Sequence, residues 1–64
     1  MLEQIDETEF QIRLGSLSGL AVDKSQSPAM IRYKKADTVV GEVRREYSVI
    51  TQQYLEPTYW FIAW

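Results

Sequence analysis

The side chains that carry out most enzymatic chemistry are missing from this chain: its 64 residues include no His and no Cys. That removes imidazole as a general base and thiolate as a nucleophile, and with them the usual structural zinc centres. Two short stretches still deserve comparison with chemical motifs. Gly15-Ser16-Leu17-Ser18-Gly19 sets hydroxyls between glycines. A nucleophile elbow needs Ser at the centre, where Leu17 stands, and a His partner elsewhere in the chain. Lys24-Ser25 has the ending of a phosphate-binding loop, whose backbone cradle requires Gly just before the Lys and again five residues before that. Asp23 and Ser18 hold those places, and Asp23 repels phosphate. Both stretches read as surface turns.

The carboxylates Glu3, Asp6, Glu7 and Glu9 have the chemistry of an acid–base pair or a hard-cation site. They crowd the first nine residues, with no Lys or Arg among them, and residues 1–7 read as a mobile, solvated acidic arm. No catalytic, metal-ligating or cofactor-binding residue is assigned, and the chain is expected not to be an enzyme.

What remains is binding. Arg32, Lys34, Lys35, Arg44 and Arg45 stand against only Asp37 and Glu42 in the middle of the chain, with Tyr33 and Tyr47 interleaved. Cationic groups beside aromatic faces suit single-stranded nucleic acid. A net charge of −2 and a pI near 4.9 argue against sequence-independent binding, which draws its affinity from phosphate neutralisation. At the chain end, Tyr59, Trp60, Phe61 and Trp64 concentrate aromatic surface. Such residues are either core or the anchors that dominate protein–protein interfaces.

The elements that position these residues lean toward strand. Val, Ile, Thr, Tyr, Phe and Trp supply 22 residues, against four Ala and five Leu, and such side chains suit a pleated, half-buried surface. Residues 8–14 alternate, with Phe10, Ile12 and Leu14 on one side and Glu9, Gln11 and Arg13 on the other, which predicts a strand. Residues 29–35 alternate in the same way. Residues 38–53 fit two templates. As strands, Gly41 marks a bulge; as a helix, Val40, Val43, Tyr47, Ile50 and Tyr54 continue a 4-3 spacing. Gly41 and seven β-branched residues between 38 and 51 favour the strands. Residues 58–64 read as a buried strand closing the sheet.

The expected fold is therefore all-β, a small five-stranded barrel or curled sheet forming one domain over residues 1–64. The alternative is an α+β fold with a central helix at about 38–54 packed on a small sheet. In size and layout the barrel resembles the Src-homology type, a likeness of architecture that implies no function. The longest apolar run, residues 59–64, is far short of the roughly 20 residues that span a membrane, so the protein is expected to be soluble. Without Cys staples, a chain this small is expected in the cytoplasm.

These readings converge on a small non-catalytic regulatory or adaptor protein that docks onto another protein, with self-association as a further expectation. The candidate partner-binding residues are Tyr59, Trp60, Trp64, Arg32, Lys34, Arg44 and Arg45. The alternative is a nucleic-acid-associated protein using the basic segment 32–45.

Overall fold

The computed structural model describes residues 1–63. Residues 8–14, expected as a strand, are instead a helix, α1 (Glu7–Gly15), and local chemistry explains why. Asp6 has extended backbone and its carboxylate accepts the Glu9 N–H at 2.7 Å, the arrangement of an N-cap. Glu7 and Glu9 occupy the first turn and Arg13 the last, each complementing the helix dipole. Glu9 and Arg13 pair at 2.9 Å across one turn. The alternation was coincidental: Phe10 is buried, whereas Ile12, which a strand would have buried with it, is 62% exposed. Asp6→Ala is expected to cost about 1 kcal/mol, read as a lowered urea midpoint, with Asp6→Asn, whose side-chain oxygen can accept the same bond, keeping most of the stability.

The fold is mostly β, as the composition implies. Around α1 stand β1 (Leu2–Ile5), β2 (Leu20–Asp23), β3 (Met30–Lys35), β4 (Thr38–Arg44), β5 (Tyr47–Ser48), β6 (Gln53–Tyr54) and β7 (Thr58–Ile62). Five of them form one antiparallel sheet in the order β1-β7-β4-β3-β2. The expected barrel does not close: β1 and β2 are opposite edges, because residues 8–14 went to the helix and β5–β6 form a separate two-stranded ribbon. The alternative central helix at 38–54 is absent as well. β4 pairs on both sides, with β3 and β7, where its β-branched side chains suit a central strand. The segment expected as a mobile acidic arm contains β1, which runs along β7 with Leu2 opposite Ile62 and Ile5 opposite Tyr59.

Alternation in this register puts Tyr33, Gly41, Val43, Tyr59 and Phe61 on the face beneath α1. Phe10 descends onto it, its ring centroid 5.2 Å from that of Tyr59, 5.7 Å from Tyr33 and 6.1 Å from Phe61. Phe10 and Phe61 are wholly buried and Val40 nearly so; these three are the buried apolar residues among those described. Gly41 makes room for the two rings. The expected bulge is present one residue away: Tyr33 faces Gly41 and Lys34 faces Val39, leaving Val40 as the extra residue.

Candidate functional site: the uncovered sheet face and its arm

α1 lies on one face of the sheet, and the strands' other side chains point away from it. In register across all five strands, that second face carries the row Gln4, Trp60, Glu42, Arg32, Asp23. Trp60 and Arg44 form its centre. The Arg44 guanidinium lies 4.2 Å from the Trp60 ring centroid and donates from Nε to Glu42 Oε1 at 2.8 Å. Arg32 approaches the other Glu42 oxygen at 3.8 Å. Glu42 itself is only 7% exposed, so its charge is held between two arginines, opposite Trp60 in register. The Trp60 indole N–H donates to Thr58 Oγ1 at 3.0 Å, and that hydroxyl donates to the Arg44 carbonyl at 3.2 Å.

This network fixes the plane of an arginine over an aromatic ring, and the guanidinium side chains of Arg32 and Arg44 remain 38% exposed. Arg has five donors in a rigid fork, so each retains N–H groups directed at whatever approaches. The arrangement is chemically suited to accept carboxylates or backbone carbonyls of a partner.

The structure brings Arg32, Lys34, Arg44 and Trp60 of the candidate residues together on this face. Tyr59 is on the other face, packed against Phe10. Tyr33 is also on that core side, whereas Tyr47, interleaved with the same basic residues in the sequence, stands half-exposed in the β5–β6 ribbon. Arg45 is at the root of that ribbon. Its Nε donates to the Leu55 carbonyl at 2.9 Å and its Nη2 to the Tyr54 carbonyl at 3.4 Å, so it clamps the chain instead of facing a ligand. Trp64 lies outside the described residues.

Tyr59 ties the helix to the sheet: its hydroxyl donates to Glu7 Oε2 at 2.6 Å. That bond, then desolvation and then the Glu7 charge itself, hold its ionisation above the ordinary value of 10.0. The folded chain keeps a proton that the unfolded chain releases. The stabilisation is therefore complete below pH 10 and declines as pH rises through and beyond that value. Tyr59→Phe is expected to flatten the alkaline fall in urea midpoint, and absorbance titration of tyrosinate follows the same group. At the sheet's edge the Ser25 backbone N–H, at 2.9 Å, and then the Ser25 hydroxyl hold the Asp23 carboxyl below its ordinary range, with Lys34 and Arg32 adding to the effect.

The ribbon of β5 and β6 extends the uncovered face into an arm. Its rings, Tyr47 and Tyr54, meet edge to face at 5.1 Å, and Gln52 turns the chain at φ 56°. The Leu55 N–H closes the root on the Glu46 carbonyl at 2.8 Å, and the Arg45 N–H anchors it to the Ala29 carbonyl at 2.9 Å. At the tip, Val49 is 78% exposed and Ile50 92%. Between the root and the end of the sheet runs an open groove of about 540 Å³, walled by Gln4, Met30, Arg44, Leu55, Thr58 and Trp60 among others. Sequence reasoning missed Glu42, Met30, Val49, Ile50 and Leu55. Residues 47–54 contain no Gly, Pro, Asn or Asp, so the sequence carries no turn signal for the hairpin; the one available hint was Tyr47 and Tyr54 bracketing an uncharged run.

Among the described residues no group of three or more acidic side chains is placed to hold a metal ion, and no helix is long and apolar enough to cross a membrane. Comparison with protein-family models, curated proteins and solved structures finds no match for this chain.

Proposed function

We propose that this chain is a small, non-catalytic regulatory or adaptor protein, cytoplasmic and without a cofactor, that acts by docking onto another protein through the uncovered sheet face and its arm. The observation that carries the reading is the Trp60–Arg44–Glu42–Arg32 array on a face that no element of the described chain covers. Trp and Arg are the residues most often found to dominate interface energy. Here each is held by its neighbours before any partner arrives, which lowers the ordering cost of binding. Isolated large apolar side chains are ordinary on protein surfaces, but among the described residues four of the seven exposed ones, Tyr47, Val49, Ile50 and Leu55, are gathered in the adjoining arm and its root.

Nucleic acid is the second reading, favoured by one observation: Arg32, Lys34 and Arg44 share the open face with an aromatic ring, Trp60. Against it, Glu42 and Asp23 stand in the same row and offset two of those cations, and Arg45 is engaged at the arm root. Immobilising the intact chain in a lysate of the source cell, at low and at moderately high salt, separates the two. A dominant protein that survives the salt is expected. Nucleic acid that falls away steeply with salt would replace the docking reading with the second one.

A further inference from the structure

We infer that the arm and the groove at its root are the two halves of one interface, and that two copies of this chain exchange arms to form a closed two-fold dimer. The inference rests on the docking reading and names the occupant of part of the docking surface.

The first ground is what the arm lacks. Residues 47–54 read Tyr-Ser-Val-Ile-Thr-Gln-Gln-Tyr, eight positions without a charge in a chain whose residues are 25% charged. β5 and β6 pair only with each other, so both have an open edge. Proteins that remain apart protect such edges with charged side chains, Pro or a covering element. This ribbon's strands are only two residues each, which itself limits the exposed edge, but it has no charge, Pro or covering element along its length and carries Val49 and Ile50 at its tip. With a net charge of −2 on each chain, a neutral arm is also the place where two copies approach with least repulsion.

The second ground is where the groove lies. It is walled by the arm's own root, through Arg45, Glu46, Leu55 and Glu56, and by the sheet end, through Met30 and Trp60. When two arms lie side by side and antiparallel, each tip therefore arrives at the other's root. One two-fold axis satisfies both contacts at once, the self-complementary arrangement that closes without growing into a filament. The reach is equal on both sides by symmetry. The groove is open, and its volume, about 540 Å³, falls in the range of small-molecule clefts, about 300–1,000 Å³, enough for two branched side chains to lie against Met30, Leu55 and Trp60 between the charged walls. Groove walls and arm together supply eighteen residues per partner, a little under the roughly 20–30 of a standard interface.

The third ground is need. Three buried apolar side chains among the described residues make a thin core for a chain of 64 residues, and small domains without disulfides or metals commonly gain the remainder from association. The radius of gyration, 12.4 Å, exceeds the about 11 Å of a compact chain of this length, consistent with part of the chain standing off from the body. The dimer would leave the Arg32 and Lys34 side of each sheet free, presenting two copies of it to a client.

Sedimentation velocity of the intact chain, from low micromolar to near-millimolar concentration, is expected to show a monomer–dimer equilibrium that stops at dimer. Ile50→Asp should raise its dissociation constant by about 30-fold or more, the size of a hot-spot loss. Its far-UV circular dichroism should match the parent's, because the tip is exposed. The native chain has no Cys, so geometry can be read from engineered thiols. Mixed Ile50→Cys and Ala29→Cys chains should oxidise mainly to the heterodisulfide, tip to groove, and the Ile50→Cys chain alone should cross-link poorly. A monomer at every concentration, growth beyond dimer, a dimer indifferent to Ile50→Asp, or tip-to-tip disulfides would each overturn the inference. A strict monomer that still retains one protein from lysate would leave the docking reading standing.

Discussion

Phe10→Ala is expected to leave the chain largely unfolded in neutral buffer at room temperature. Truncating a fully buried Phe costs about 3–5 kcal/mol, and a domain of this length has only about 3–10 kcal/mol in total. The cost should fall near the top of that range. Phe10 is the one buried residue of α1 and meets Tyr33, Tyr59 and Phe61 at once, so no neighbouring side chain can slide into the space without leaving another contact. Far-UV circular dichroism with urea titration reads the loss. Phe10→Leu, which fills part of the cavity, should fold with a lowered midpoint. A Phe10→Ala chain with nearly the parental midpoint would mean that the helix does not help to hold the sheet.

The second large effect reverses an ordinary preference. In a central strand, Val is favoured over Gly by up to about 1 kcal/mol, yet Gly41→Val should destabilise by about 1–3 kcal/mol or more. A Cβ at position 41 would sit 3.2 Å from a Phe10 ring carbon and 3.3 Å from one of Phe61, with the Trp60 carbonyl at 3.4 Å. Both rings are wholly buried and have nowhere to withdraw, and the two methyl groups of Val reach further than Cβ does. Gly41→Ala should cost less. Urea midpoints in the order Gly, Ala, Val, highest first, test this reading, and a stabilised Gly41→Val chain would contradict the placement of Phe10 over that strand.

Both positions illustrate what was legible before the structure. Where the pattern reflected burial on one side of a strand, it was readable: residues 30–35 alternate because their two faces meet different surroundings, and the β-branched content of 38–44 marked a central strand. Residues 58–64, read as a strand from their apolar run at 59–64, contain β7 at Thr58–Ile62, with neighbours on both sides. Residues 8–14 misled because the strand and helix periods share every fourth residue: Phe10 and Leu14 fall on one side in either, and only Ile12 between them, exposed in the helix, tells the two apart. The deciding information was in Asp6 and the Glu9–Arg13 pair, which had been assigned to an acidic arm and to a strand's wet face. The barrel failed for a topological reason invisible to periodicity: residues 47–54 pair among themselves instead of joining the sheet.

The site was partly legible. Arg32, Lys34, Arg44 and Trp60 were singled out from composition, but that they share a face, and that Glu42 is clasped between two of them, depends on register between strands far apart in sequence. Tyr59 was grouped with Trp60 because they are adjacent, and adjacency in a strand is what sends them to opposite faces. The arm is not legible because Val49 and Ile50 count, in composition, only as β-branched residues favouring strand over residues 38–51, and nothing in that marks a turn between them and Tyr54.

Function by docking predicts an asymmetry between the two sides of the molecule, and site-specific photo-crosslinking in the source cell measures it directly. A photoreactive residue in place of Lys34, on the uncovered sheet face, should yield a discrete adduct with one other protein. The same residue in place of Gln11, exposed on α1, should yield none at comparable strength. Adducts from position 11 alone, or none from either, would contradict the assignment of the uncovered face as the working surface of this protein.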